Sequence, residues 1–270
     1  MKGRTKHLIM YNQPIPVIWT KRKYVPGRRK IPVMVRSRSH SVPLLNVYGP
    51  RPIRPENIGF EYRPASILIM GHSFIRNLEE FMLKNYGYNH NMGLSYNTAN
   101  VQFHGVGGRT VQKFIHNDLY VVQRLRPDIL YLELGTNDLS HPDSTFDQVA
   151  ADIEKLVWQC KTAGAKFVIV GQTLFRYEPL NEWFLERYPL DPDFNLKVIW
   201  YNNCLKEKLD PSSIPNCLYW RHVGLWHPSV PTIKGEDGVH LTDWGNQCLY
   251  RSIRGALVHG IRRSEVYLRI

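Results

Sequence analysis

Residues 67–81 read ILIMGHSFIRNLEEF, and this stretch joins an apolar run directly to a sequence with helical character. The four residues ILIM are typical of a short buried strand, and Gly71 ends that strand. Ser73 then stands where the helix would begin. A serine in this position is either the N-cap of the helix or a nucleophile held at the carboxyl edge of a sheet. The choice between these interpretations depends on residues much further along the chain.

From residue 66 onward the sequence alternates strands with helices. Apolar runs predict strands over 66–70, 100–105, 128–135, 166–171 and 216–220. Helical spacing predicts a helix after Ser73 and further helices over 109–125, 144–163, 194–208 and 243–257, the last capped by Thr242. Repeated strand–helix units predict an α/β fold in which a parallel sheet carries helices on both faces. In such sheets reactive groups collect at the carboxyl ends of the strands.

The positive charge is concentrated in the first 65 residues. This segment holds 14 of the 35 Lys and Arg residues and only two of the 23 acidic ones, which accounts for the whole formal net charge of +12. It also holds nine of the 18 prolines, and it shows no sustained period of 2 or 3.6. We expect residues 1–65 to form an extended or disordered basic arm and residues 66–270 to form the folded domain.

Two interpretations of the basic arm stay open. Clustered Lys and Arg attract polyanions, so the arm could contact nucleic acid or another anionic surface. It could equally be a solvated linker that packs on a neighbouring domain. No secretory signal and no apolar run of about 18 residues is apparent, and the four cysteines form no CxxC pair. These features favour an intracellular protein, cytoplasmic or nuclear, without a transmembrane segment.

Four short motifs follow the predicted strands. They are GHS at residues 71–73, GVGGRT at 105–110, GTND at 135–138 and EDGVHLTDWG at 236–245. Each alone has an ordinary structural explanation, which is a helix cap, a glycine turn, a polar turn or a loop ion pair. GVGGRT is not a P-loop, because it lacks the lysine and the spacing of that motif.

Taken together, these motifs supply a complete set of groups for serine catalysis. The nucleophile Ser73 needs a base, and the D-x-x-H spacing of Asp237 and His240 offers a base with an acidic partner. An acyl-transfer intermediate also needs hydrogen-bond donors for its oxyanion. The backbone amides of Ser73 and Gly108 and the side-chain amide of Asn137 can provide three. We therefore expect acyl-transfer chemistry in which Ser73 is the nucleophile and carries the acyl group.

The same motifs resemble those of the SGNH, or GDSL-like, hydrolase superfamily, which is named for its Ser, Gly, Asn and His. Ser73, Gly108 and Asn137 match its first three blocks, and Asp237 and His240 match its C-terminal D-x-x-H block. The resemblance covers most of the chain after the basic arm and keeps the blocks in family order. It implies a three-layer α/β/α, flavodoxin-like fold with a five-stranded parallel sheet. It also implies ester hydrolysis without a metal or another cofactor, as in the single-domain esterase and acetylhydrolase branch.

One residue departs from the family pattern, in which Gly-Asp-Ser usually surrounds the nucleophile. Here His72 takes the place of the aspartate and puts an ionisable imidazole beside Ser73. This change leaves a second function open, a catalytically silent scaffold whose basic arm binds nucleic acid or an anionic surface. Similar esterase domains occur beside nucleic-acid-binding segments in the open reading frames of some retrotransposons. Lipid, sugar and short-chain esters are all compatible with the motifs as substrates.

Three further residues are candidates for the substrate pocket. His72 and His104 follow or end predicted strands, and Trp183 belongs to an aromatic segment over 172–192. This aromatic segment would act either as a lid over the substrate or as a hydrophobic cover on the core.

Two other histidines raise the question of a metal. His222 and His227 are five residues apart and could in principle bind one. No third ligand has a recognisable spacing, so we expect no metal site and interpret both as loop or interface residues.

Overall fold

The structure is a computed structural model, and it describes residues 63–187, 190–225 and 231–264. Its strands are β1 (Ala65–Gly71), β2 (Ala99–Gly105), β3 (Ile129–Glu133), β4 (Phe167–Gly171) and β5 (Cys217–Trp220). They form one parallel sheet with the order β2-β1-β3-β4-β5. The chain winds outward in opposite directions from β1 and β3. The crevice between the carboxyl ends of these two strands is therefore the expected place for a ligand.

Helices cover both faces of this sheet. Their bounds are α1 (Ser73–Lys84), α2 (Val111–Asn117), α3 (Leu119–Leu125), α4 (Thr136–Leu139), α5 (Phe146–Thr162), α6 (Glu182–Arg187), α7 (Phe194–Lys208) and α8 (Asp243–Arg263). A short 3-10 turn, Pro231–Ile233, precedes α8. Apolar residues of α1 and α8 pack on one face, and those of α2, α3, α5 and α7 pack on the other.

The strand sequences explain this three-layer packing. Along β1, Ile67 and Ile69 join the core under α1 and α8, while Leu68 and Met70 join the core on the opposite face. Every residue of β3 and β4 is buried, which is why both strands read as continuous apolar runs. The predicted α/β/α fold with a five-stranded parallel sheet is confirmed.

The structure departs from the predicted elements in three places. The predicted helix over 109–125 is interrupted at Asp118, so that α2 and α3 are separate helices. The buried carboxylate of Asp118 accepts hydrogen bonds from Arg109. The aromatic segment over 172–192 contains the short helix α6. The last helix continues to Arg263, beyond the predicted end at 257.

Nearly all of the basic arm lies outside the described residues. At its end, Arg63 forms a two-point ion pair with the buried Asp128, with N···O distances of 2.7 and 2.8 Å. Among the residues that are described, no helix has both the length and the apolar character needed to cross a membrane.

Two glycines at strand ends let α1 begin very close to the sheet. A Cβ atom on Gly71 would lie 2.4 Å from the backbone oxygen of Glu133. A Cβ atom on Gly105 would lie 2.1 Å from the backbone nitrogen of Arg76. No residue with a side chain fits at either point without a shift of the backbone. The first turn of α1, which carries Ser73, is therefore held against the carboxyl ends of the central strands.

Candidate active site

Ser73, His240 and Asp237 form a continuous hydrogen-bonded chain. Ser73 Oγ lies 2.9 Å from Nε2 of His240, and Nδ1 of His240 lies 2.5 Å from Oδ2 of Asp237. Because Asp237 accepts the proton on Nδ1, Nε2 is left free to accept the serine hydroxyl hydrogen. This is the arrangement in which an imidazole can act as a base toward the hydroxyl.

Backbone hydrogen bonds hold the carboxylate of this chain in place. Oδ1 of Asp237 accepts the N–H groups of Val239 and His240, each at 2.9 Å. Burial alone would raise the pKa of Asp237, but the hydrogen bonds from His240 and from these amides hold it well below its usual range. The carboxylate is therefore ionised at neutral pH.

The start of helix α1 aims the hydroxyl at this base. His72, not Ser73, is the N-cap, and its Nδ1 accepts the N–H of Phe74 at 3.3 Å. Ser73 is the first helical residue, so the alternative of Ser73 as a cap is wrong. The side chain of Ser73 is thus available to His240.

We predicted that His72 lines the cavity, but it does not. Its side chain is only 1% exposed and lies beneath the site. Burial lowers its pKa to about 4, assisted by the charges of Arg176, Lys234 and His240, while Glu133 opposes the shift. The imidazole beside the nucleophile is therefore neutral at pH 7, where it serves as a hydrogen-bond acceptor for the helix.

His104 is also not a pocket residue. Its Nε2 lies 3.0 Å from Oδ1 of Asp118, which is in addition the ion-pair partner of Arg109. Because they contact Asp118, the side chains of His104 and Arg109 lie at the break between α2 and α3, and neither residue belongs to the cavity lining. The prediction failed because the break in the helix was not visible in the sequence.

The three predicted oxyanion donors lie around the same cavity. The backbone N–H groups of Ser73 and Gly108 have no acceptor within the part of the chain that the structure describes. Gly108 has a φ of +68°, which disfavours other residues, and a Cβ atom there would meet nothing within 4 Å. The amide of Asn137 donates one hydrogen to the carbonyl of Arg109 at 2.9 Å, which orients the side chain and leaves its second hydrogen available.

Asp138 ties the neighbouring loops together. Its Oδ1 accepts the N–H of Val111 at the start of α2, at 2.9 Å. This bond connects the GTND turn to the GVGGRT turn, which places Asn137 and Gly108 on the same side of the cavity.

The cavity itself has a volume of about 670 Å³. Ser73, His240, Gly108 and Asn137 all belong to its lining. Aromatic and aliphatic side chains form much of the remainder, namely Phe74, Tyr177, Trp183, Phe184, Leu190 and Phe194. Trp183 therefore contributes to the lining as predicted from the sequence, and it does so from helix α6.

Besides Arg76, which also lines the cavity, two basic residues near it were missed by the sequence analysis. Arg176 lines the cavity, and its Nη2 donates to the backbone oxygen and to Oγ1 of Thr136, both at 3.1 Å. Lys234 lies behind Phe74, with Nζ 4.6 Å from the ring centroid, and burial lowers its pKa to about 7. Neither belongs to a recognised motif, and only the position of Arg176 in the aromatic segment could have drawn attention to it.

A second polar network lies in the core below the site. His222 is fully buried, with Nε2 3.2 Å from Oε2 of Glu133 and Nδ1 2.8 Å from Oγ of Ser252. The hydroxyl of Tyr131 donates to the same Glu133 oxygen at 2.6 Å. His222 lies in the loop after β5, as one of our two interpretations expected, but its side chain links the sheet to α8 from inside the core.

No group of three His, Cys, Asp or Glu side chains suited to a metal occurs within residues 63–187, 190–225 and 231–264. His227 lies outside these ranges.

Comparison with known proteins agrees with the fold. A model described as the GDSL-like lipase/acylhydrolase family matches residues 79–248, which is more than half of the chain. The chain belongs to this family. The match begins after Ser73, so it does not itself include the serine. No curated protein matches the sequence significantly.

Solved structures of this hydrolase family share the fold. A candidate acylhydrolase from Bacteroides fragilis NCTC 9343 has a TM-score of 0.55 at 20% identity, over 74% of this chain and 91% of its own. An acetylxylan esterase from Geobacillus stearothermophilus, solved as a catalytic mutant, has a TM-score of 0.51 at 16% identity, over 74% and 94%. A GDSL-like lipase from Bacteroides thetaiotaomicron has a TM-score of 0.51 at 15% identity, over 72% and 88%. At these identities the likeness concerns the fold.

Proposed function

We propose that this protein is a serine ester hydrolase in which Ser73 forms an acyl-enzyme. The observation that carries the proposal is the hydrogen-bonded chain from Ser73 through His240 to Asp237 at the lining of a cavity. Membership of the GDSL-like lipase/acylhydrolase family supports the same chemistry.

The acylation step follows from the orientation of His240. Nε2 takes the hydroxyl proton as Ser73 Oγ attacks the ester carbonyl carbon. Asp237 stays ionised and stabilises the imidazolium that forms, which is consistent with its low pKa. When the tetrahedral intermediate collapses, the bond to the alcohol oxygen breaks and His240 returns the proton to that oxygen. The acyl group remains on Ser73.

Deacylation uses the same groups in the reverse direction. His240 takes a proton from a water molecule, which attacks the acyl carbon. The second tetrahedral intermediate then releases the carboxylic acid, and the serine recovers its proton.

The negative oxygen of both intermediates would be held by the N–H groups of Ser73 and Gly108 and by the amide of Asn137. Preorganised donors of this kind usually contribute more to the rate than any other single effect. Two features of the site suit the role, namely unpaired backbone donors and a side-chain amide that is already oriented by Arg109.

Hydrolysis of 4-nitrophenyl acetate and butyrate tests the proposal. The unsubstituted protein should release 4-nitrophenol, and Ser73→Ala should lower the turnover number by about 10⁴-fold or more. Ser140→Ala is the matched control, since Ser140 lines the same cavity but bonds to the carbonyl of Thr136. A folded Ser73→Ala variant that keeps the rate of the unsubstituted protein would overturn the proposal. A folded protein with no activity toward any ester would favour the silent scaffold.

The concentration of charge in residues 1–65 favours a second function beside hydrolysis, the binding of nucleic acid or another anionic surface. Replacement of the basic residues at 21–23 and 28–30 by glutamine in the full chain should weaken binding of a single-stranded oligonucleotide. The affinity of the unsubstituted chain should also fall steeply between 50 and 200 mM salt, on the order of 10³-fold if several phosphates are contacted. Affinity that responds to neither change would exclude this function.

A further inference from the structure

Arg176 is an unusual residue to find in the lining of an ester-binding cavity. A large part of the lining is aromatic or aliphatic, and a hydrophobic ester or acyl chain would not need a guanidinium there. The guanidinium carbon of Arg176 lies 4.4 Å from the centre of the Phe194 ring, so an aromatic face fixes the plane of the group. Its direction toward the cavity is therefore set by packing.

The hydrogen-bonding capacity of Arg176 is largely unused. Nη2 donates to two oxygens of Thr136, but Nε is buried and has no acceptor among the described residues. Within the same residues, Arg176 forms no ion pair with a carboxylate. Burial lowers its pKa to about 10, although the charge of Asp237 opposes the shift. A guanidinium in such surroundings is stabilised when an anion binds beside it.

The carboxylates of the cavity are already committed to other partners. Asp237 accepts three hydrogen bonds, from His240 Nδ1 and two backbone amides. Asp191 is paired with Lys197 at 2.9 Å. Lys234 donates to the carbonyl of Val239 behind the cavity, and because burial lowers its pKa to about 7 it adds part of a positive charge at pH 7. The charge available to a bound molecule is therefore positive.

We propose that Arg176 is an anion-binding subsite, and that the substrate is an ester that carries a carboxylate or phosphate group. The inference rests on the proposed function, because it assigns a substrate class to the same cavity. The guanidinium can donate charge-assisted hydrogen bonds to either anion, and these are stronger than the bonds it could donate to a neutral ester of the same size.

Arg176 also has a structural role that the experiment must separate from substrate binding. Its bonds to Thr136 support the turn that carries Asn137. Loss of this support would slow the hydrolysis of neutral and anionic esters alike. The ratio of kcat/KM between an anionic ester and its neutral analogue reports only on the anion.

Two substrate pairs place the anion on opposite sides of the ester. 4-Nitrophenyl hydrogen glutarate against 4-nitrophenyl butyrate tests the acyl side, and 4-acetoxybenzoate against phenyl acetate tests the alcohol side. Replacement of 4-acetoxybenzoate by 4-acetoxyphenyl phosphate compares carboxylate with phosphate. In at least one pair the protein should prefer the anionic ester, and Arg176→Gln should lower that ratio by about 10- to 100-fold. Arg176→Lys should recover part of the loss.

Arg254→Gln is the matched control, because it removes one positive charge from α8 without changing the cavity lining. Nη2 of Arg254 donates to the carbonyl of Gly93. It should leave both ratios as they are. Ratios that are unchanged in Arg176→Gln for both substrate pairs would overturn the anion subsite while leaving ester hydrolysis intact.

Binding to Ser73→Ala distinguishes a failure of this inference from a failure of the proposed function. Titration calorimetry with 4-acetoxybenzoate and phenyl acetate, and with the two 4-nitrophenyl esters, needs no turnover. Tighter binding of an anionic ester that disappears in the double variant Ser73→Ala, Arg176→Gln would support the subsite even if no ester were hydrolysed. Equal affinities within both pairs would overturn it.

Discussion

Within the described residues, two Ser–His–carboxylate chains occur, and one of these two lies at a cavity whose backbone N–H groups have no acceptor there. In the first, Ser73 contacts Nε2 of His240 and Asp237 contacts Nδ1. In the second, Ser252 contacts Nδ1 of His222 and Glu133 contacts Nε2. The side chains and distances are similar, so the difference in their surroundings shows what a catalytic chain needs beyond these three groups.

The serines differ in their access and in the donors around them. Ser73 begins α1 beside a cavity of about 670 Å³, where backbone amides are unpaired. Ser252 lies inside α8, where the backbone N–H groups are used by the helix, and its Oγ also accepts Nε1–H of Trp220 at 3.1 Å. An oxyanion formed at Ser252 would find no backbone donors.

The histidines differ in burial. The side chain of His240 is 39% exposed, whereas that of His222 is fully buried. Burial raises the pKa of Glu133, but the charge and hydrogen bond of His222 more than offset this and hold the pKa below its usual range. We interpret the second chain as a structural connection among β3, the residue after β5 and α8.

The largest expected effect concerns activity at the two histidines. His240→Ala should lower the turnover of 4-nitrophenyl acetate by about 10⁴- to 10⁶-fold, because it removes the base. His222→Ala should keep most of the activity per folded molecule, since His222 does not touch the cavity. Comparable losses of turnover in both folded variants would show that the role of the second chain is not purely structural.

For stability, we expect the larger loss in His222→Ala and the smaller loss in His240→Ala. His222→Ala leaves the buried Glu133 with only the hydroxyl of Tyr131 as a partner and should lower the free energy of unfolding by about 3 kcal/mol. His240→Ala removes a partly exposed group and should cost about 1 kcal/mol. Urea denaturation at pH 7 measures both values. A more stable His222→Ala than His240→Ala would contradict the structural role.

The oxyanion donors can be tested at Asn137. Asn137→Ala should lower turnover by about 100- to 1000-fold while leaving some activity above Ser73→Ala. Asn97→Ala, at an exposed loop residue away from the cavity, is the control and should leave turnover as it is. A loss at Asn137 as complete as that of Ser73→Ala would indicate a role other than that of one donor among three.

His72 extends the comparison to a third histidine and affects the pH dependence of stability. Its pKa is about 4 in the folded state against 6.5 for an ordinary histidine, so the unfolded chain takes up the proton first as the pH falls. Its contribution to the free energy of unfolding is therefore complete above pH 6.5 and is lost between pH 6.5 and 4. The loss should be about 3 kcal/mol.

His72→Asn keeps an acceptor for the N–H of Phe74 but cannot take up a proton in this range. The unfolding free energy of His72→Asn is subtracted from that of the unsubstituted protein at pH 7 and again at pH 4.5. The change in this difference between the two pH values measures the contribution of His72. This difference is needed because burial raises the pKa of Asp138 to about 6, and its titration acts in the opposite direction. An equal difference at both pH values would show that His72 is not held neutral.

Much of the fold and the first chain could be predicted from the sequence, because both depend on local patterns. Strand periodicity predicted the sheet, and four motifs at strand ends predicted residues that the structure brings together. The second chain could not be found this way. Glu133, His222 and Ser252 belong to no shared motif and meet only after the sheet has formed. Arg176 was missed for the same reason, since its significance depends on its place in the cavity lining and on a buried Nε without an acceptor among the described residues.

Labelling with a fluorophosphonate tests the central claim most directly, because the probe reacts with an activated serine whatever the natural ester is. The unsubstituted protein, Ser73→Ala and Ser252→Ala would be labelled, digested and analysed by mass spectrometry to locate the adduct. We expect the adduct on Ser73 in the unsubstituted protein and in Ser252→Ala, and no adduct in Ser73→Ala. An adduct on Ser252, or a folded unsubstituted protein that is not labelled at all, would contradict the assignment of the catalytic chain.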